Sequence, residues 1–280
     1  MGQNSEIAWT DHTFNPWWGC TKVSAGCEHC YAEGVANRFA PGLWGAKGRH
    51  RFFGEKHWAE PSKWNRRAAD SGVRERVFCG SMCDVFEGVG YGHMDFGKMY
   101  RGRRKLWDLI EWTPHLDWLL LTKRPGNVAT FASWQSPRFY LPNVWLGVTA
   151  ENQATADERI PLLLQVPAAK RFVSCEPLLS ALDLSKYLGA TLTAHGGERI
   201  QHPDHRIPTT GGTWDFGLDQ VIAGCESGHG ARHAMGTWFR MLRNQCQEAG
   251  VPFFLKQMVV DGKLVRRPKL DGKVWDEVPA

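Results

Sequence analysis

The residues best able to do chemistry lie close together near the start of the chain. The run Cys20-Thr-Lys-Val-Ser-Ala-Gly-Cys27-Glu-His-Cys30 places three thiols within eleven residues, separated by six and then two positions. A loop of this kind lets three sulfurs converge on one metal centre. Three ligands rather than four is the informative number, because structural zinc closes its shell with a fourth protein ligand, whereas a reactive centre keeps one position open. The pattern reads as an iron–sulfur site. Zinc completed by His29 or His12, and plain unligated thiols, are the alternatives. Five further cysteines, Cys79, Cys83, Cys175, Cys225 and Cys246, stand apart from this run. Buried cysteine commonly serves as a small hydrophobe. The sharper reading is that one has a redox role, or that some bind a second cluster. His195, His202 and His205, in a stretch rich in Gly and Thr, read as a polar loop rather than a metal site.

A second group of polar residues follows apolar strand-like runs: Asp84, Lys123, Glu151, Glu176, Glu226 and Lys256. One carboxylate after a strand is ordinary. Six polar groups at the same edge of a parallel sheet point to a shared cavity, because reactive groups in such barrels gather at the C-terminal strand ends.

The elements needed to position these groups alternate in type. Strands are expected over 7–9, 77–86, 117–123, 144–149, 171–175, 220–225 and 251–256. Helices are expected over 31–39, 98–112, 127–134, 154–165 and 231–249. This order argues for an α/β fold, a partial or full parallel (β/α) barrel. Residues 1–258 read as one barrel-like domain with a basic-aromatic insert at 41–76 and a lid-like insert at 180–217. Residues 259–280 read as a C-terminal appendage, with hairpin turns at Asp261-Gly262 and Asp271-Gly272.

Composition narrows the class. The 280 residues are 42% hydrophobic and carry a net charge of +5, so a packed core is available and disorder is not expected. The longest apolar runs are too short to span a bilayer, and the first residues contain no apolar signal core. The expected setting is cytoplasmic, without a membrane partner.

Several segments together resemble a phage-associated three-cysteine family related to radical S-adenosylmethionine (SAM) enzymes. They are Trp9-Thr-Asp-His-Thr-Phe-Asn-Pro-Trp-Trp-Gly-Cys20 with the spaced cysteines, Ser81-Met-Cys-Asp-Val-Phe86, Leu121-Thr-Lys-Arg-Pro125, Trp145-Leu-Gly-Val-Thr-Ala-Glu151, Ser174-Cys-Glu-Pro-Leu178, Glu226-Ser-Gly228 and Phe254-Leu-Lys-Gln257. The first gap between cysteines is six residues where radical SAM enzymes in general have three. The resemblance implies a barrel fold and a 4Fe–4S cluster on Cys20, Cys27 and Cys30, with one iron left for SAM. It also implies reductive cleavage of SAM to a 5′-deoxyadenosyl radical and a reductant or electron-donor protein as partner. In the same reading His29, Gly80, Ser81, Met82, Thr149 and Glu151 contact the cofactor. Asp84, Lys123, Glu176, Glu226 and Lys256 are then left for catalysis. The insert at 41–76 holds nine Lys or Arg against four Asp or Glu, interleaved with Trp44, Phe52, Phe53, Trp58 and Trp64. That composition suits a nucleic acid or nucleotide as substrate. The alternative is a non-catalytic iron–sulfur or zinc protein that binds nucleic acid or a protein partner.

Overall fold

The computed structural model describes residues 5, 7–88, 93–135, 141–189, 191–193, 213–215, 217–228 and 230–279. His195, His202 and His205 lie outside the described residues. The chain divides into two compact units, Met1–Trp145 with Gly228–Gly230, and Leu146–Ser227 with Ala231–Ala280.

In the first unit β1 (His12–Phe14), β2 (Glu75–Cys79) and β3 (Leu116–Thr122) lie side by side in that order, and both pairings are parallel. Parallel strands need crossovers, and two helices serve the one from β2 to β3 and the one from β1 to β2. These are α3 (Phe96–Glu111) and α2 (Glu60–Ser71), preceded by α1 (Tyr31–Phe39). Pro114 follows the end of α3, as its missing N–H requires. Pro61 sits in the first turn of α2, where that N–H is not needed. A helix α4 spans Gly126–Gln135. Trp17, Trp118 and Phe14 are fully buried in this unit, with Trp58 packed edge-on against Phe14 at 5.2 Å between ring centres.

In the second unit β4 (Val144–Thr149, whose first two residues belong to the first unit), β5 (Lys170–Cys175), β6 (Gln220–Gly224) and β7 (Phe253–Val260) follow in order. An antiparallel β8 (Lys263–Arg266) closes the series. The helices are α5 (Gln153–Leu164) and α6 (Gly236–Ala249). Asn152 caps α5 by accepting from the Thr155 N–H, and the Thr155 hydroxyl answers the Asn152 backbone. Gly147 has no alternative. A Cβ there would lie 2.4 Å from the Phe172 ring of the neighbouring strand. The expected fold class therefore stands: α/β, with parallel strands and intervening helices in the (β/α) barrel manner.

Several boundaries differ from the sequence reading. The first strand begins at His12, not Ile7, because Ile7 to Thr10 forms a turn closed by the Thr10 N–H on the Ile7 carbonyl. The strand expected over 77–86 stops at Cys79. Gly80 takes φ +98°, a left-handed value that turns the chain out of the sheet, so Cys79 and Cys83 do not share a strand face. Helix α6 starts five residues later than expected, since Arg232 is drawn onto Glu226 instead. Strand β7 runs on to Val260 because β8 pairs with it, so Lys256 lies inside a strand rather than after one. The turns at Asp261-Gly262 and Asp271-Gly272 both form, with Asp261 at φ 48° and Asp271 at φ 52°. The basic-aromatic insert is not an open loop. It contains the short strand Arg51–Phe52 paired with Trp17–Trp18, the helical turn Glu55–Trp58, and α2.

Candidate metal centre

Because β1, β2 and β3 are parallel neighbours, the loops that follow them leave from one edge. The loop after β1 carries the three cysteines, the loop after β2 carries Gly80 to Glu87, and the residues after β3 are Lys123 and Arg124. Backbone contacts stitch the first two together. The Gly19 N–H donates to the Met82 carbonyl at 3.1 Å, and the Gly80 N–H to the Phe14 carbonyl at 3.0 Å. Asn15 holds the second loop from within. Its amide donates to Ser81 Oγ at 2.9 Å and its carbonyl accepts from the Met82 N–H at 2.7 Å. Gly80, Ser81 and Met82 thus form a backbone corner against the cysteine loop, with Ser81 and Met82 buried.

Cys20, Cys27 and Cys30 are all partly exposed, whereas Cys79, Cys83, Cys175, Cys225 and Cys246 are all buried. Residue exposure therefore separates the three spaced cysteines from the other five, although the Cys20 thiol itself is enclosed beside Arg124, Asp84 and Glu87.

Arg124 organises the charges around Cys20. Its guanidinium donates to Cys20 Sγ at 3.7 Å, to Asp84 Oδ2 at 3.0 Å and to the Thr21 carbonyl. Burial opposes its charge, but Asp84, Cys20 and Glu87 outweigh burial and raise its pKa above the ordinary arginine value. Burial pushes the Cys20 thiol up to about 12, with Glu87 and Asp84 adding to the rise and Arg124 opposing it. A metal bound here would have to displace that proton, and the neighbouring guanidinium favours a thiolate.

Asp84 is fully engaged. Its oxygens accept from the Thr122 hydroxyl at 2.8 Å, the Lys123 N–H at 3.1 Å and the Phe86 N–H at 3.0 Å, besides Arg124. Glu87 accepts from the Thr21 hydroxyl at 2.5 Å and faces His50 Nε2 at 3.2 Å. Burial alone would raise its pKa, but the hydrogen bonds from His50 and Thr21 and the charge of Arg124 hold it below the ordinary value. His29 is exposed at the end of the cysteine loop. His12 is not beside the cysteines: its Nε2 meets Glu75 at 2.8 Å and its ring stacks on Trp64 at 4.4 Å.

The second unit holds the remaining candidates as pairs. Glu151 and Thr149 are completely buried. Arg159 of α5 donates to Glu151 Oε2 at 2.9 Å and to the Thr149 carbonyl at 2.8 Å. Lys256 Nζ donates to Glu176 at 2.5 Å. Glu226 accepts from Arg232 through Nε at 3.0 Å, through the terminal guanidinium nitrogen at 2.6 Å, and from its backbone N–H at 2.9 Å.

A family model described as "Protein of unknown function (DUF5131)" matches residues 4–279. The chain belongs to that family. No curated protein matches it. Similar solved structures include a cysteine-to-serine mutant of spore photoproduct lyase, 12% identical, covering 63% of this chain and 48% of that one, with a TM-score of 0.42. Another is spore photoproduct lyase complexed with dinucleoside spore photoproduct, 10% identical, covering 89% and 64%, with a TM-score of 0.45. The chain thus spans about half and just under two thirds of these two proteins.

Sequence reasoning missed Arg124, Glu87, Arg159 and Arg232. Arg124 stood in view beside Lys123 in Leu121-Thr-Lys-Arg-Pro125. What separates the two is that the Arg124 side chain turns back toward Cys20, while the Lys123 backbone meets Asp84. The six-residue spacing of Glu226 and Arg232 and the eight-residue spacing of Glu151 and Arg159 carried no recognisable signal. Of the aromatics interleaved in the insert, Trp58 is buried against Phe14, with Lys105 4.9 Å over its ring, and is a core residue. Phe53 packs on His57 at 4.4 Å, and Trp44 joins the cluster of Ala32, Ala36, Leu43 and Met82.

Among the described residues, no helix is long and apolar enough to cross a membrane.

Proposed function

We propose that this protein is an iron–sulfur enzyme of radical SAM type, with a 4Fe–4S cluster on Cys20, Cys27 and Cys30. One observation carries the reading: the three spaced cysteines, the only ones among the eight that are not buried residues, sit on a loop at the C-terminal edge of parallel strands, with Arg124 beside the first. The donor set suits the group, being three thiols that leave one iron without a protein ligand. When bound, the cluster supplies the single electron that cleaves SAM to a 5′-deoxyadenosyl radical.

The protein's own residues then act as follows. Arg124 balances the charge of the Cys20 thiolate and ties the loop after β3 to the cysteine loop. Asp84 is a positioning residue that fixes Arg124. The Gly80–Ser81–Met82 corner offers backbone groups to the amino acid portion of SAM, and His29 borders the same loop. Thr149 and Glu151 belong to the cofactor set in this reading. Lys123, Glu176, Glu226 and Lys256 are left for the substrate, with Glu176–Lys256 a pair able to exchange a proton. A nucleic acid or nucleotide is the substrate favoured by the exposed cations Lys47, Arg49, Arg51 and Arg66. An electron-donor protein completes the scheme.

The test is anaerobic reconstitution followed by reduction with SAM. Release of 5′-deoxyadenosine and methionine supports the proposal. A protein that takes up stoichiometric zinc and no iron overturns it. Binding of single-stranded DNA or RNA that weakens steeply with salt, with a flatter slope in Arg66→Ala, supports the substrate class. No binding at low salt removes it.

A further inference from the structure

His50, His93 and Asp95 each bring one potential ligand atom to a common point, all within 4.8 Å of one another. None of them belongs to the cysteine loop, and their spacing of 43 and two residues gives no motif.

Three features set this cluster apart from a chance meeting of polar groups. First, Asp95 precedes α3 at its N-cap, where an aspartate ordinarily accepts from the first N–H groups of its own helix. Here it makes no such bond. Its buried carboxylate turns to the His50 N–H at 2.8 Å and to His50 Nδ1 at 3.4 Å. Secondly, the opposite ring nitrogen of His50 faces a second carboxylate, with Nε2 3.2 Å from Glu87 Oε2. A histidine held by a carboxylate on one nitrogen, with a ligand position on the other, is the usual outer support of a metal-bound imidazole. Glu87 is only 1% exposed. Thirdly, the His93 ring stands 5.8 Å from that of His50, and its Nδ1 receives the Asp95 N–H at 3.2 Å, which ties His93 to the same carboxylate residue.

We propose that His50, His93 and Asp95 form a second metal site, separate from the cysteines, for a divalent first-row transition ion. Two imidazoles and one carboxylate suit Zn²⁺ or Fe²⁺, and a three-residue set keeps at least one coordination position open. Glu87 orients His50 and, through Thr21, touches the residue next to Cys20. The site therefore neighbours the cysteine loop while using none of its sulfurs. The proposal does not depend on the cluster.

The experiment uses the full chain with Cys20→Ser, Cys27→Ser and Cys30→Ser, stripped of metal and titrated with Co²⁺ as a spectroscopic probe. The expected result is one Co²⁺ per chain, with d–d bands and no thiolate-to-metal charge transfer. Competition with Zn²⁺ and, anaerobically, Fe²⁺ identifies the preferred ion. His93→Ala should abolish stoichiometric binding, and Glu87→Gln should weaken it by about ten- to a hundredfold. His93 is a half-buried loop residue, so its removal tests the site without emptying the core. If the serine variant is insoluble, elemental analysis of the reconstituted wild type against His93→Ala decides, by one metal equivalent lost while the rest of the metal content stays. Absence of stoichiometric Co²⁺ uptake, or uptake unchanged in His93→Ala, overturns the proposal. Neither result bears on iron loading at the cysteines.

Discussion

In the first unit a single cation, Arg124, is divided among two carboxylates, Asp84 and Glu87, a backbone carbonyl and a thiol. In the second unit Arg159, Lys256 and Arg232 each face one carboxylate, Glu151, Glu176 and Glu226. Both arrangements stand at the ends of parallel strands, and both began from the same sequence pattern of an acid after an apolar run. The difference lies in what the cation is for. A closed pair neutralises itself and holds two elements together. A shared cation remains available to balance charge that arrives later, here on sulfur.

The largest expected contrast is in metal content. Replacing Cys20, Cys27 or Cys30 with Ala should abolish an iron content of about four per chain after anaerobic reconstitution. Cys175→Ala, Cys225→Ala and Cys246→Ala should leave it unchanged, as measured by iron assay and visible absorption. Arg124→Met should fall between, loading iron but losing it faster to a chelator. Iron lost equally in the second-unit variants would erase the distinction.

Next comes the buried pair of the second unit. Glu151→Ala leaves the Arg159 guanidinium, also nearly inaccessible, without its carboxylate, which costs about 3–5 kcal/mol in denaturant unfolding. Iron content at the cysteines should persist in whatever fraction stays folded. Gly147→Ala should follow at about 1–3 kcal/mol, because the added methyl group meets the Phe172 ring.

The smallest effect concerns Glu75, at the starting end of β2 and far along the strand from the cysteines. Hydrogen bonds from Arg67 and then His12 hold its carboxyl below the ordinary 4.5. The folded state therefore binds this proton less readily than the unfolded chain. The stability it adds is present above about pH 4.5 and disappears as pH falls through the lowered value. Arg67 is substantially exposed, so the contribution is about 0–1 kcal/mol. Glu75→Gln should flatten the acid limb of a melting-temperature profile by that amount and leave the neutral limb nearly unchanged.

What was legible in the sequence follows from the range of the forces involved. The cysteines announced themselves because their spacing is local, and the alternation of strand and helix did so because burial imposes a period on neighbouring residues. Strand Val144–Thr149 and helix Tyr31–Phe39 came out as read. Gly80 concealed the end of β2, since the apolar run Met82 to Phe86 continues past the turn and mimics a longer strand. Arg124 and Cys20 are 104 residues apart, and His50 and Asp95 are 45 apart. Such meetings depend on strand order, which no local pattern encodes. The aromatic insert misled for a related reason: Trp58 and Trp64 have the composition of a stacking surface, but the helices that carry them turn both inward.

Asn15 has one more consequence. Its side chain, with the Gly19–Met82 and Gly45–Cys20 backbone bonds, fastens the cysteine loop to its neighbours by contacts that involve no sulfur. Were the proposed cluster lost to oxygen, these contacts would still tie the loop to its neighbours, unlike small zinc domains that collapse only around their ion. Damage would then be a loss of contents rather than of shape, and iron and sulfide would return to a loop already held in place.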